Sequence, residues 1–256
     1  MQIITLLTDF GLKDPYVGVM KGVILSINPD AAIVDITHNV SPQDIREGAF
    51  LIKEYCPYFQ SGTIHVAVID PTVGGERRPI AFCKDEHFFV GPDNGIFSHI
   101  IDANTDIYEI KNRDFMLKRI SSTFHGRDIF APVAAYLASG MYPSAFGPKI
   151  VNPVCLTDIF PDIINGVLTG EVVMFDRFGN AITNIDSEIF NDFTGRNSFK
   201  IHIGNMTFNS LNRSYYEQNF TCLINSSGYI EFGCYMGSFA KETGIKKKDI
   251  VKVELI

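Results

Sequence analysis

The sequence predicts an α/β protein: an N-terminal, mostly parallel sheet flanked by helices, with a smaller C-terminal antiparallel β-barrel-like domain. Three observations carry this. Strand-like and helix-like segments alternate through the first half of the chain. The strand-like runs there are almost continuously apolar, as in sheets covered on both faces. Beyond residue 160 the pattern changes to short strands separated by turn residues, which suits a small barrel or sandwich. The domains are accordingly placed at residues 1–160 and 161–256.

Each element has its own signal. Gln2–Thr8 is an apolar run that ends at Thr8-Asp9-Phe10-Gly11. Val17, Met20, Ile24 and Ile27 then share a helix face, which Asn28-Pro29 stops. The run Ala31–Thr37 reads as a second strand. Ser41-Pro42-Gln43-Asp44 predicts a helix start with Ser41 at the N-cap and Pro42 at the first helical position. Ile45, Ala49, Ile52 and Cys56 supply that helix with its apolar face. Thr63–Ile69 is the next strand and runs into a loop at Asp70. Arg78–Cys83 and His87–Gly91 read as two strands around a turn at Asp85-Glu86, and the second leads into Pro92-Asp93-Asn94-Gly95. Ile129, Val133 and Leu137 mark a helix that ends at Gly140. The Pro-, Gly- and Asn-rich stretch 147–166 reads as a linker. Six short strands follow, with a helix candidate near Gly237–Thr243.

Composition narrows the class. The 256 residues are 46% hydrophobic and 20% charged, which is enough apolar material for a full core. A net charge of −7 argues against nucleic acid or an anionic membrane as partner. No apolar run approaches the ~18 residues that span a bilayer, and no signal peptide is visible, so the expected compartment is the cytoplasm. The five cysteines lack CxxC spacing and are expected to be buried, reduced thiols. No histidine pair has metal-ligand spacing, so no metal site is expected.

Polar residues collect where α/β folds gather chemistry, at the carboxyl ends of strands and the starts of helices. Asp9 follows the first strand, where a carboxylate can accept both hydroxyls of a ribose. Asp14 lies at the start of the next helix and is equally readable as its cap. Asp70 opens the glycine-rich turn DPTVGGERR, which lacks the Gly-Lys-Ser/Thr of a P-loop. Arg77 and Arg78 enter a strand together, so one faces the site and the other faces away. His125 precedes an amphipathic helix. The segments Asp176–Asn180 and Asn225–Gly228 are plausible hairpin turns.

Six segments in this order resemble one family: TDFGLKDPYVGVMKG, DPTVGGERRP, PDNG, TFHGRDIFAPVAA, DRFGNAITNI and INSSGYIEF. They look like the S-adenosyl-L-methionine (SAM) hydroxide adenosyltransferases, adenosine-forming SAM hydrolases related to fluorinase and chlorinase. The resemblance implies a homotrimer, with SAM held between one subunit's N-terminal domain and its neighbour's C-terminal domain. It implies Asp70, Arg77 and His125 as catalytic residues and Asp9 as the ribose-binding acid. Phe124, Asp176, Phe178, Asn180, Ser226, Glu231 and Met236 would complete the substrate contacts. The chain departs from the family at Thr72, where glycine is common, and at Ser227, where halogenases carry an arginine.

The implied reaction is hydrolysis of SAM to adenosine and L-methionine by in-line attack of water on ribose C5′. The sulfonium departs as a neutral thioether, so neither a general acid nor a metal or other cofactor is required. A carboxylate in the site would repel halide, which favours water over a halogenase reaction. Two rival readings are a SAM- or adenosine-binding module without turnover and a metal-dependent phosphohydrolase built on Asp9, Asp93 and His125.

Overall fold

The structure is a computed structural model that describes residues 2–256. The chain divides into two units, Met1–Leu156 and Thr157–Ile256. The first contains β1 (Ile3–Thr8), α1 (Tyr16–Ile27), β2 (Ala32–Thr37), α2 (Ile45–Tyr55), β3 (Ile64–Val68), β4 (Pro79–Lys84), β5 (His87–Pro92), β6 (Ile107–Glu109), α3 (Ala131–Ala138) and β7 (Lys149–Ile150). Its seven-stranded sheet has the order β2-β1-β3-β5-β4-β6-β7. The first four strands in that order run parallel, whereas β4, β6 and β7 pair antiparallel. The β4–β5 hairpin turns at Asp85 and Glu86, whose φ angles of 48° and 64° give the left-handed pair that a two-residue hairpin needs.

The order β2-β1-β3 positions the site. The chain leaves β1 through α1 to reach β2, then returns through α2 to β3 on the other side of β1. The connections pack on opposite faces: Met20 and Ile24 of α1 join the core of α3, while Ile52 of α2 joins the core of Ile69, Phe82 and Phe97. Strand order therefore reverses between β1 and β3. The crevice beyond their carboxyl ends is where open α/β sheets take ligands. Asp9 and Asp70 leave those two ends.

Two helix starts differ from expectation. Asp44, not Ser41, is the N-cap of α2, and its side chain accepts from the Glu47 N–H. Pro42 lies before the helix, because Gln43 takes a left-handed φ of 66° and separates it from the first turn. Asp14 does not cap α1, whose N-cap is Pro15 and which has no side-chain cap bond. The third helix opens with a π-turn over Gly126–Phe130, closed by the Ala131 N–H on the Gly126 carbonyl. Pro132 lacks the N–H that would bond the Asp128 carbonyl in an α-helix, and the Leu117 N–H takes that carbonyl at 2.9 Å instead.

The second unit holds β8 (Asp162–Ile164), β9 (Val167–Phe175), β10 (Ala181–Asp186), α4 (Ser187–Thr194), β11 (Phe199–Ile203), β12 (Met206–Phe208), β13 (Phe220–Ile224), β14 (Tyr229–Cys234), α5 (Phe239–Thr243) and β15 (Ile250–Leu255). They form a nearly closed antiparallel sheet in the order β12-β11-β15-β9-β10-β14-β13, with β8 on β9. Leu168, Val172, Phe190, Ile201, Phe232 and Val253 are among its core residues. The helix α4 was not anticipated. Its signals are Asp186, which caps the Ile189 N–H, and the i, i+3 spacing of the core-packed Phe190 and Phe193.

Of the cysteines, Cys56, Cys222 and Cys234 are buried, but Cys83 is half-buried and Cys155 exposed, against the expectation that all would be buried. No helix among the described residues is long and apolar enough to cross a membrane. Asp44→Ala removes the α2 cap and is expected to lower stability by about 1 kcal/mol. The measurement is a lower urea midpoint at constant m; an unchanged midpoint would mean that the cap carries no stability.

Candidate active site

Three elements bring one acid, one guanidinium and one imidazole together. Asp70 leaves β3, Arg77 approaches β4 and His125 stands at the N-cap of the π-turn. Arg77 Nε donates to both Asp70 carboxylate oxygens at 3.0 Å, and Nη2 also donates to Asp70 Oδ2. The same Nη2 lies 2.7 Å from His125 Nδ1. A guanidinium only donates, so Nδ1 is the acceptor and the imidazole carries its proton on Nε2. Burial first, and the Arg77 charge second, hold the His125 pKa below its ordinary 6.5 and favour this neutral form. The side chains of Arg77 and Asp70 are only 6% and 4% exposed, and the guanidinium lies 5.5 Å from the Phe130 ring centroid.

One donor of this assembly is unused. Arg77 Nη1 is buried and makes no hydrogen bond among the described residues. Leaving a buried guanidinium donor unpaired costs free energy, so such a group marks a place where a polar ligand belongs. Its neighbours Nε and Nη2 are fully engaged, which fixes the direction of the free N–H bonds.

The loops that carry the trio are tied to each other. Gly74 has a φ of 77°, and a Cβ there would lie 2.0 Å from the Ser122 carbonyl oxygen. Only glycine allows that approach of the Asp70 loop to the segment before His125. That segment is anchored from the other side by Asp128, which is fully buried and accepts from the Ser121 N–H at 2.7 Å and from Arg127. Sequence reasoning missed Asp128; its signal was an acid three residues beyond His125 beside a basic residue. Arg78 turns away from the trio. It pairs with the buried Asp93 and with Asn152, while Asp93 also accepts from the Val154 N–H. Asp93 is thus committed to Arg78, and a cation site from Asp9, Asp93 and His125 is not assembled. No group of three metal-ligating side chains occurs among the described residues.

A cavity of about 450 Å³ opens beside Asp70 and His125, with Arg77 behind them and outside its wall. Asp70, His125, Phe124, Phe10, Tyr16 and Val73 are among its lining residues. Asp9 is not in the wall: its Oδ2 accepts from the Gln43 N–H at 2.8 Å, one residue before Phe10. The buried His38 bridges Thr8 and Asp35, at 2.8 Å and 3.0 Å, beneath that turn.

In the second unit a separate pocket of about 530 Å³ is lined by Asp176, Phe178, Asn180, Tyr215, Cys234, Met236 and Gly237. Asp176 folds its own turn, accepting from the Phe178 and Asn180 N–H groups and from Asn180 Nδ2, all at 2.9 Å. Ser226 and Glu231 are not in this wall. Ser226 sits at an exposed turn. Glu231 is buried and accepts from the Tyr215 hydroxyl at 2.6 Å and from Asn225 Nδ2 at 3.0 Å, and burial raises its pKa. Tyr215 was not singled out in the sequence, where it lies in a polar loop without periodicity.

Comparison with known proteins gives a consistent result. Residues 4–147 match the model of the SAM hydroxide adenosyltransferase N-terminal domain, and residues 170–252 that of the C-terminal domain. The chain is 37% identical over 266 aligned positions to the (R)-S-adenosyl-L-methionine hydrolase of Methanocaldococcus jannaschii, covering 99% of this chain and 96% of that protein. It is 40% identical over 194 positions to the enzyme of the same name from Thermus thermophilus, covering 72% and 75% respectively. The crystal structure of an uncharacterized conserved protein from Thermotoga maritima superimposes with a TM-score of 0.89 at 32% identity, covering 98% of this chain and 99% of that one.

Two outcomes are expected. In an NMR titration His125 gains its proton only below the ordinary 6.5, because the folded site disfavours the imidazolium. The unfolded chain then binds more protons than the folded one. The stability from neutral His125 is therefore complete above about pH 6.5 and is lost as pH falls through the folded pKa. A midpoint at or above 6.5 would contradict the arrangement. Gly74→Ala meets about 1–2 kcal/mol of left-handed strain before its clash with Ser122 is counted, and is expected to lower the urea midpoint and displace the His125 resonances. An unperturbed His125 spectrum would show that the two loops are independent.

Proposed function

The chain belongs to the SAM hydroxide adenosyltransferase family, and we propose that it hydrolyses S-adenosyl-L-methionine to adenosine and L-methionine with Asp70, Arg77 and His125 as the catalytic residues. The observation that carries the assignment of residues is the hydrogen-bonded trio itself, in which buried Arg77 ties together Asp70 and His125 and these two line the cavity. The names of the relatives specify the (R) sulfonium epimer, and that epimer is the substrate assigned here.

The attacking water accepts from His125 Nε2–H and donates to Asp70, both in the cavity wall, which leaves one lone pair in line with C5′ and opposite the sulfonium. Fixing that geometry contributes up to ~7–11 kcal/mol toward the barrier. As the O–C5′ bond forms, the C5′–S bond breaks and its electron pair returns to sulfur, leaving a neutral thioether. The water must also lose a proton. His125 has Nδ1 engaged by Arg77 and Nε2 already protonated, so it acts as a donor. Asp70 retains unshared electron pairs and is the acceptor. The developing hydroxide is stabilised by the guanidinium, whose charge is presented without reorganisation. Halide is disfavoured by the same carboxylate that accepts the proton.

The remaining contacts follow the family pattern. Asp9 is assigned to the ribose hydroxyls and Phe124 to the substrate wall. Asp176, Phe178, Asn180, Ser226, Glu231 and Met236 are assigned to the adenosine and methionine ends. Glu231 would act through Tyr215 and Asn225, which it holds. The protein is assigned as a cytoplasmic homotrimer, one subunit's N-terminal pocket being completed by a neighbour's C-terminal residues. The exposure of Phe178 at 74% and Met236 at 90% in the single chain supports that reading.

The test is incubation of the purified protein with resolved SAM epimers, with and without EDTA, following adenosine by chromatography. Adenosine from the (R) epimer at a rate indifferent to EDTA is expected. Arg77→Lys, which cannot reproduce the forked donors, is expected to lower kcat by about 10²–10³. No adenosine above a His125→Ala control would leave only a binding module, and 5′-halogenated adenosine in chloride or fluoride would restore the halogenase reading.

A further inference from the structure

We propose that Phe10, Tyr16 and Phe124 form an aromatic receptor for the sulfonium cation and make this pocket select a charged nucleoside ligand over the neutral thioether. The inference rests on the reading that SAM occupies the cavity beside Asp70, and it adds which side chains recognise the positive charge.

The three rings cluster at one wall of that cavity. Their centroids are 6.0 Å apart for Phe10–Tyr16, 6.0 Å for Phe10–Phe124 and 5.2 Å for Tyr16–Phe124, and each contact is edge-to-face. All three line the cavity together with Asp70 and His125. Aromatic faces carry partial negative charge and attract onium ions. This wall already does so: the Arg127 guanidinium carbon lies 5.2 Å from the Phe124 ring centroid. The nearby positive charges are each neutralised, Arg127 by Asp128 and Arg77 by Asp70, and His125 is held neutral. Lysine is absent from the lining. The wall an entering sulfonium meets thus holds three rings and paired charges, with no uncompensated cation.

The kinetic consequence is specific. The sulfonium charge is complete in bound substrate and fades as the C5′–S electron pair returns to sulfur. Ring contacts therefore stabilise substrate more than transition state, so losing them raises KM without lowering kcat. This separates the rings from the trio, whose removal lowers kcat.

The experiment measures dissociation constants by calorimetry for two ligands that are not hydrolysed. Sinefungin carries an ammonium where SAM has its sulfonium; S-adenosyl-L-homocysteine is the neutral thioether. The wild-type protein is expected to prefer the ammonium analogue. Tyr16→Leu and Phe124→Leu are each expected to shrink that preference about three- to tenfold, while Tyr16→Phe keeps it. Tyr16 is 45% exposed, so its leucine variant leaves the core intact. An unchanged preference in both leucine variants overturns the proposal. If neither ligand binds the wild-type protein, the SAM assignment falls as well. If the ring-dependent preference appears but SAM is not hydrolysed, the receptor stands and the activity falls.

Discussion

The candidate site is organised around the orientation of one guanidinium. Arg77 spends Nε and Nη2 on Asp70 and His125, and the fork geometry leaves Nη1 pointing in a single direction. Burial is what gives this force: in water the same group would rotate among solvent partners, whereas at 6% exposure it has only those the fold supplies. The carboxylate balances its charge, the imidazole accepts from its second nitrogen, and the Phe130 ring limits movement out of plane. Each neighbour is thus a constraint on the arginine.

The sheet explains why these groups meet at all. Reversal of strand order between β1 and β3 leaves a gap that neither connecting helix covers, and the Asp70 loop rises from its edge. His125 arrives from a different part of the chain and depends on two devices, the glycine contact at Gly74 and the carboxylate of Asp128. The π-turn serves the second. By denying the Asp128 carbonyl an intrahelical partner, Pro132 lets it hold Leu117, while the carboxylate holds Ser121.

Much of this was legible in the sequence, and the exceptions have physical causes. Alternating elements and buried parallel strands are pattern properties, so the two-part α/β and β architecture could be read directly. The split between Arg77 and Arg78 followed from strand alternation. The α2 start was misplaced because Ser41-Pro42 and Asp44–Glu47 both carry cap signals, and only the backbone of Gln43 decides between them. The helix α4 was missed because eight residues between strands give too short a period. Asp128, Tyr16 and Tyr215 were passed over because their importance lies in what they touch across the chain. Ser226 and Glu231 were named from a linear motif, which carries no information on burial: the fold exposes the first and encloses the second.

Arg77 and Arg78 are adjacent residues just before β4, yet the first is bound to Asp70 and the second clamps Asn152 and Asp93. Their two sets of partners are therefore separated by a single residue of chain. Both residues are fixed by their distance from β4, whose register is set by its pairing with β5, so the loop from Asp70 has only to span back to that edge. Replacing one arginine therefore leaves the other's partners in place, and the Asp70 cluster and the Asn152 clamp can fail independently.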